Sequence, residues 1–464
     1  MKFYTANGLK RPIRLCDSTR LFAYESLGGK YGIDTRKTDS VIMDNVKNYD
    51  KMTELEQYNA AIAKIVSEAP IRICSGERIS GAATLGRAIN HTVPASYKGE
   101  YICSSVSHLT VDFETVLKRG MVYMLKQAEE SLKKYKGKKQ EAFIKSCISC
   151  IGSFQIWHKR YLEALKDLPE YADNYRNLQR VPMLPATNFY EAVQSIWFTF
   201  AFIRLCGNWP GIGRIDLLLG DYLESDLKSG MLTLDEAREI LAHFFIKGCE
   251  WICGGDYGSG DAQHYQNILL CGVDENGREV TNTVTYLVLD ILEELGISDF
   301  PTSVRLNKNT DEKLVRRLAE VMRYGGGILA VYGEDLIIDS LVDYGYPLKE
   351  ARNFANDGCW EIQVPGATGI IRSYCKCNLK RMVTGAALDI KLIPSNVSGE
   401  DGLQALISLM RGFVALGGCF MQPDIVDAAV LKEAQKHPEN YPTLSVRVSG
   451  WNAFVRTDIL PYPC

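Results

Sequence analysis

Between residues 265 and 355 short apolar runs alternate with helical stretches, and this texture limits the possible folds more than any other feature of the chain. "YQNILLCGVD" (265–274) and "PTSVRLNK" (301–308) are apolar and end in turn formers, so both read as buried strands. "TNTVTYLVLDILEELG", "DEKLVRRLAEVMRYGG" and "LKEARNFAND" lie between and after them and carry helical patterns. Strand and helix in turn argue for an α/β barrel or a doubly wound sheet. In such folds chemistry collects in the loops that follow strands, and "FANDGCWEIQVPG" (354–366) is such a loop.

The front of the chain is different. Residues 1–95 form a mainly helical region, with "MTELEQYNAAIAKIVSEA" its clearest amphipathic run, and "PIRICSGERISG" alternates like a short strand and turn. Two long helices follow, over 111–135 and up to 168. "TNFYEAVQSIWFTFAFIRL" predicts a buried helix capped by Thr187 or Asn188. "TLDEAREILAHFFIKGCEWI" predicts another, with Thr233 and Glu236 as a capping box. "IPSNVSGEDG" (393–402) is the best boundary, and one helix and a terminal strand-loop come after it. The expected organisation is therefore a helical region at 1–95, a barrel domain at 96–395 and a terminal domain at 400–464.

Composition removes several function classes. The 464 residues carry a net charge of -3, which gives no electrostatic footprint for nucleic acid. No run of 18 apolar residues predicts a membrane span, and the N-terminus lacks a signal-peptide pattern, so the expected compartment is the cytoplasm. The 14 cysteines are spread along the chain rather than set in a disulfide framework. Close pairs occur at Cys147/Cys150, Cys249/Cys253 and Cys375/Cys377, but a metal site wants matched pairs with further ligands, and no metal is expected. So many thiols suit a reducing cell.

Two residues carry the chemistry. Cys359 follows a glycine and precedes Glu361 by two positions in "NDGCWEIQVPG". Read alone, it is a small buried residue in a turn, a nucleophile that needs a histidine base, or a thiol that exchanges hydrogen atoms with carbon. In the last case Glu361 could move a proton on the same substrate. Gly450 lies in "LSVRVSGWNAF" (444–454). Read alone it is a turn glycine. A glycine Cα can also hold an unpaired electron, shared with the amide nitrogen and the carbonyl beside it, because no side chain prevents that carbon from becoming planar. Such a centre must be buried, and "LSVRV" and Trp451 suit burial.

With these residues in view, the chain resembles the glycyl radical enzymes, the family of pyruvate formate-lyase and its dehydratase and lyase relatives. "RVSGW" (447–451) is similar to the glycine-radical signature and "DGCWE" (357–361) to the thiyl-cysteine loop. "GERISG", "SHLTVDFETVLKRG", "ATNFYEAVQSIWF", "GRIDLLLGDYL" and "LMRGFVALGG" are among the other stretches in the family's style, so the resemblance covers most of residues 70–454.

The resemblance implies a barrel of two half-barrels packed antiparallel and surrounded by helices. It implies that Gly450 stores a radical and that Cys359 receives it and abstracts a substrate hydrogen. No cofactor is bound; the radical is installed after translation by a radical S-adenosylmethionine activating enzyme. A small-molecule substrate, a homodimer and anaerobic, oxygen-sensitive chemistry are implied too. A glutamate two after the cysteine is typical of the eliminating and decarboxylating branches, so Glu361 points to a lyase, dehydratase or decarboxylase. The acyltransferases of the family carry two adjacent cysteines, whereas Trp360 follows Cys359 here. His108 and Arg305 are the candidate substrate contacts. The alternatives are a pyruvate formate-lyase-type acyltransferase and a degenerate, non-catalytic relative. Two departures matter. Only 91 positions separate Cys359 from Gly450, which predicts a second half-barrel that is incomplete, and "NAFVRTDILPYPC" differs from the family's usual C-terminal continuation.

Overall fold

The structure is a computed structural model. It describes residues 3–32, 40–82, 93–102, 107–250, 252, 267–298, 300–355, 371, 374–375, 378–381, 387–441, 443–448 and 451–455. The chain forms two compact units, one of residues 29–210 and 222–252, the other of 1–28, 211–221 and 253–464.

The first unit is helical. Its helices include Glu54–Glu68, Phe113–Lys134, Glu141–Leu165, Phe189–Leu205 and Leu234–Lys247. Four of their starts are fixed by side-chain caps: Thr53 and Thr233 each form a capping box, with Glu56 and Glu236, Asp112 accepts from the Thr115 amide, and Asn188 accepts from the Glu191 amide. The core is aromatic. The rings of Trp157 and Phe198 lie 4.5 Å apart, and Phe154 meets Phe198 edge-on at 5.7 Å. Beside this core Lys247 is wholly buried, with its Nζ 2.6 Å from Glu77 and 2.8 Å from Glu250.

The strand expected in "PIRICSGERISG" does not form. Its backbone groups bond to side chains instead of a neighbouring strand. Gln194 brackets Ser80, accepting from its N–H at 2.9 Å and donating to its carbonyl at 2.8 Å. Trp197 Nε1 donates to the Gly81 carbonyl, and the Tyr161 hydroxyl accepts from the Ala82 amide at 2.7 Å and donates to the Arg72 carbonyl. An extended stretch satisfied in this way needs no ladder.

The second unit is built on a five-stranded sheet: β1 (Ile268–Cys271), β2 (Thr302–Leu306), β3 (Leu329–Gly333), β4 (Ala387–Leu392) and β5 (Phe420–Ile425). The spatial order is β1-β2-β3-β5-β4. β1, β2 and β3 run parallel, with helices Thr283–Leu295 and Glu312–Met322 as crossovers. β4 and β5 are also parallel, joined by helix Gly399–Ala415. The two groups meet antiparallel where Phe420 pairs with Tyr332 and Met421 with Val331. This seam is the antiparallel apposition of half-barrels that the resemblance implies. Among the described residues the sheet is linear and does not close on itself.

β3 and β5 lie at the seam and were not anticipated. β3 follows three glycines, Gly325 to Gly327. β5 contains Pro423, which argues against a central strand. The structure accommodates the proline because pairing with β3 stops at Met421, and beyond it β5 pairs with β4 alone. Near the chain's end β6 (Ser445–Val448) and β7 (Trp451–Phe454) form an antiparallel hairpin, with Val448 opposite Trp451. Among the described residues no helix is long and apolar enough to cross a membrane.

Candidate active site

The carboxyl ends of parallel strands are where open and closed α/β folds do their chemistry. Here the ends of β1, β2 and β3 hold a buried polar cluster: Arg214, Asp216, Arg305, Asn307 and Glu334. The chain leaves β1 through Cys271, whose φ is +66°. A side-chain residue in that left-handed region costs about 1–2 kcal/mol. Two side chains hold it there. Asp216 Oδ2 accepts from the Cys271 amide at 2.7 Å and from Thr285 Oγ1 at 2.9 Å, and Arg214 Nη2 donates to the Cys271 carbonyl at 3.0 Å. Asp216 is fully buried, and that burial raises its pKa against the pull of these donors and of Arg214.

Arg305, near the end of β2, is the centre of the cluster and is 0% exposed. Its Nη2 donates to Glu334 Oε1 at 2.5 Å. Glu334 in turn accepts from the Val273 amide at 2.9 Å and from Asn307 Nδ2 at 2.6 Å. Burial lowers the Arg305 pKa to about 10, with the nearby Arg214 acting in the same direction, yet a guanidinium remains cationic at neutral pH. Next to this pair stands Gly272, at φ +74°; a Cβ there would run into Glu334 Oε1 and lie 2.7 Å from Arg305 Nε. Only glycine lets the ion pair approach the backbone so closely.

Arg305 also grips the next loop. Its Nη1 donates to the Phe354 carbonyl at 3.1 Å and its Nη2 to the Arg352 carbonyl at 2.7 Å. The guanidinium stands 4.0 Å from the centre of the Phe354 ring. These two carbonyls belong to the chain that runs into the "NDGCWEIQVPG" loop. Cys359 and Glu361 themselves lie outside the described residues.

The hairpin is seated at the other end of the same strand. Arg447 in β6 is 1% exposed. Its Nη1 donates to the carbonyls of Thr302 (3.3 Å) and Gly327 (3.5 Å), and its Nη2 to Ser303 Oγ (3.5 Å). Ser445 Oγ donates to the Gly326 carbonyl, and Lys391 Nζ bonds both Asp424 and the Arg447 carbonyl. Leu444 and Val455 close the hairpin's base over Ala434 in a small apolar cluster. Thr302 opens β2 and Arg305 lies three residues on, about 10 Å along an extended strand. One short strand therefore carries a buried arginine contact at each end, one for the cysteine loop's stem and one for the hairpin. The hairpin register leaves Ser449 and Gly450 between its strands, and both lie outside the described residues.

Of the sequence candidates, then, Arg305 is inside the cluster, with both its terminal nitrogens engaged by Glu334 and loop carbonyls. His108 lies in strand Ser107–Thr110, and its side chain is outside the described residues. Sequence reasoning missed Arg214, Asp216, Asn307, Glu334 and the role of Arg447. A signal existed for some of them: a charge set inside a continuous apolar run, as in "TSVRL" and "SVRV", announces a buried partner.

Comparison with known proteins agrees with this architecture. The family profile described as "Pyruvate formate lyase-like" matches residues 87–388, and the profile "Glycine radical" matches residues 360–455. Isethionate sulfite-lyase of Bilophila wadsworthia is 28% identical over 306 residues, which is 61% of this chain and 37% of that protein. Trans-4-hydroxy-L-proline dehydratase of Clostridioides difficile is 24% identical over 276 residues, 54% of this chain and 35% of that protein. The chain thus spans little more than a third of the length of these curated relatives. A solved structure from Roseburia inulinivorans, described for 1,2-propanediol dehydration, superposes with a TM-score of 0.78 at 16% identity, over 96% of this chain and 98% of that one. That likeness shows a shared fold.

Proposed function

The chain belongs to the pyruvate formate lyase-like family and carries a glycine radical segment, and on that premise we propose that it is the catalytic chain of a glycyl radical lyase or dehydratase. In this reading Gly450 stores an unpaired electron on Cα after an activating enzyme has removed one α-hydrogen. The Gly450 radical takes the hydrogen of the Cys359 thiol, and the thiyl takes a hydrogen from a substrate carbon that bears a hydroxyl. Glu361 accepts the hydroxyl proton as the bond from the neighbouring carbon to its leaving group breaks heterolytically. The carbonyl forms, the leaving group departs with the electron pair of that bond, and Glu361 returns the proton to it. The product radical then takes the hydrogen back from Cys359, and the thiyl left behind takes a hydrogen from Gly450 Cα, which restores the stored radical. Atoms and electrons balance, and the sum is the loss of an acid from a small hydroxylated molecule.

The observation that carries this reading is the pair of anchored stems in one compact unit. Arg305 at one end of β2 holds the chain leading to Cys359, and Arg447 at the other holds the hairpin that bears Gly450. Direct hydrogen transfer needs reacting atoms about 3–3.5 Å apart, so both loops must be fixed at their bases. Trp360, in the position where the acyltransferases carry a second cysteine, favours elimination over acyl transfer. The reading requires a radical S-adenosylmethionine activating enzyme with an iron–sulfur cluster as partner, and it implies a homodimer in an anaerobic cytoplasm.

The test is electron paramagnetic resonance after anaerobic activation. An electron on Gly450 Cα couples to the one remaining α-hydrogen, so a doublet is expected that becomes a singlet in protein grown on α-deuterated glycine. Gly450→Ala should give no doublet. Glu361→Gln should give the full doublet and no turnover. Absence of the doublet in the activated wild type favours the degenerate relative instead, and normal turnover in Glu361→Gln removes the acid–base role.

A further inference from the structure

We propose that Arg305 is a positioning residue of the hydrogen-transfer step: resting on Glu334, it fixes the stem from which Cys359 is presented. The inference rests on the role just given to Cys359. It starts from the company Arg305 keeps. Two backbone carbonyls, Arg352 and Phe354, and one carboxylate, Glu334, accept from its two terminal nitrogens at 2.5–3.1 Å. The Phe354 ring lies against its guanidinium.

Each part of this arrangement restricts movement. Glu334 cannot swing away without breaking its bonds to the Val273 amide and the Asn307 amide group. The pair cannot be displaced by a bulkier neighbour because position 272 is glycine. Arg305 and Glu334 are both buried, so water does not compete for these bonds. A planar fork that also stacks is a property of arginine; a lysine ammonium is a single point donor and cannot lie flat on the Phe354 ring. Phe354 is five residues before Cys359. A stem held at this point limits how far a residue five positions on can stray from it, to about 17 Å even for a fully extended chain. A misplacement of about 1 Å in a transfer geometry can slow the step roughly 100-fold.

Hydrogen exchange at Gly450 reads this directly and needs no substrate. In D₂O the Cys359 thiol becomes S–D. The Gly450 radical takes that deuterium, leaving a thiyl, and the thiyl takes the protium from the same carbon, so the electron returns to a Cα that bears deuterium. The doublet therefore collapses to a singlet at the rate of the Cys359–Gly450 exchange.

The experiment measures this collapse in the activated full chain for the wild type, Cys359→Ala, Arg305→Lys and Phe354→Leu. Radical yield and thermal unfolding are recorded for each. In the wild type the doublet should collapse, and in Cys359→Ala it should persist. Arg305→Lys should load the radical normally yet exchange at least about tenfold more slowly. Phe354→Leu leaves the buried ion pair whole and loosens only the stem, and should exchange more slowly at an unchanged unfolding temperature. Wild-type exchange in Arg305→Lys overturns the proposal. If that variant fails to fold, Phe354→Leu decides: slowed exchange supports the proposal and unchanged exchange overturns it. A wild type that never exchanges, or a Cys359→Ala that does, removes the role of Cys359 and not the anchoring by Arg305.

Discussion

Gly327→Ala should loosen the seat of the hairpin that carries Gly450. Gly327 has φ +60°, and a Cβ there would lie 2.7 Å from Arg447 Cβ and 3.2 Å from Arg447 N. Arg447 cannot retreat, since β6 is paired to β7 and its guanidinium is bonded across the starts of β2 and β3. The left-handed backbone alone costs a side-chain residue about 1–2 kcal/mol. Forcing an extra methyl into this contact adds about 1–3 kcal/mol. The neighbouring Gly326→Ala separates the two effects. Gly326 also has positive φ, +82°, but its nearest atoms would be 3.7 and 3.9 Å from the new Cβ, which is ordinary contact. The difference between the variants is therefore the clash with Arg447. At about 2–4 °C per kcal/mol it should lower the unfolding temperature of Gly327→Ala by roughly 2–12 °C more than that of Gly326→Ala. After anaerobic activation Gly327→Ala should also give a smaller glycyl doublet than Gly326→Ala. If the two variants unfold together and load equally, Arg447 does not hold the hairpin as tightly as the geometry says.

Lys247→Met should destabilise the helical unit by about 3–5 kcal/mol, because Glu77 and Glu250 would be left buried without their cation; adding Glu77→Gln should recover part of the loss, and a thermal denaturation series checks both. His243 is 2% exposed and accepts a hydrogen bond at Nδ1 from the Arg78 amide. Burial first, and the charges of Arg78 and Lys247 next, lower its pKa to about 3. The unfolded chain then binds a proton that the folded chain refuses. Stability from this group is present above the ordinary histidine value of about 6.5 and is lost toward pH 3, at about 1.4 kcal/mol per pH unit. Over that window denaturant midpoints of His243→Gln should fall less steeply with acid than those of the wild type; parallel curves would remove the assignment.

The part of the fold that local pattern dictates was legible. β1, β2 and the helices after them follow from apolar runs and caps, and the capping box at Thr233 forms as its spacing predicts. β3 and β5 were not legible, because strand pairing is decided by partners distant in sequence: Tyr332 and Phe420 face each other across the seam, and Pro423 is tolerated only since that pairing ends before it. "PIRICSGERISG" failed for the converse reason. Its alternation is real, but Gln194, Trp197 and Tyr161 supply the bonds a partner strand would have given. At the candidate site the sequence marks Cys359, Glu361 and Gly450 through their motifs. It marks Arg305 only as a charge in an apolar strand. That Arg305 and Arg447 sit at opposite ends of β2 depends on where strand, loop stem and hairpin meet, and no spacing along the chain contains that.

The proposed radical transfer requires that the loops rooted at the two ends of β2 bring Gly450 and Cys359 into contact. A Gly450→Cys variant tests it most directly, because a disulfide forms only when the two Cα atoms lie about 4.4–6.8 Å apart. The folded variant would be mildly oxidised, digested without reduction and examined by mass spectrometry. A cross-link between position 450 and Cys359, formed ahead of any to the other cysteines, is the predicted result. A variant that oxidises to other cysteines, or stays reduced at position 450 while the protein remains folded, would contradict the account.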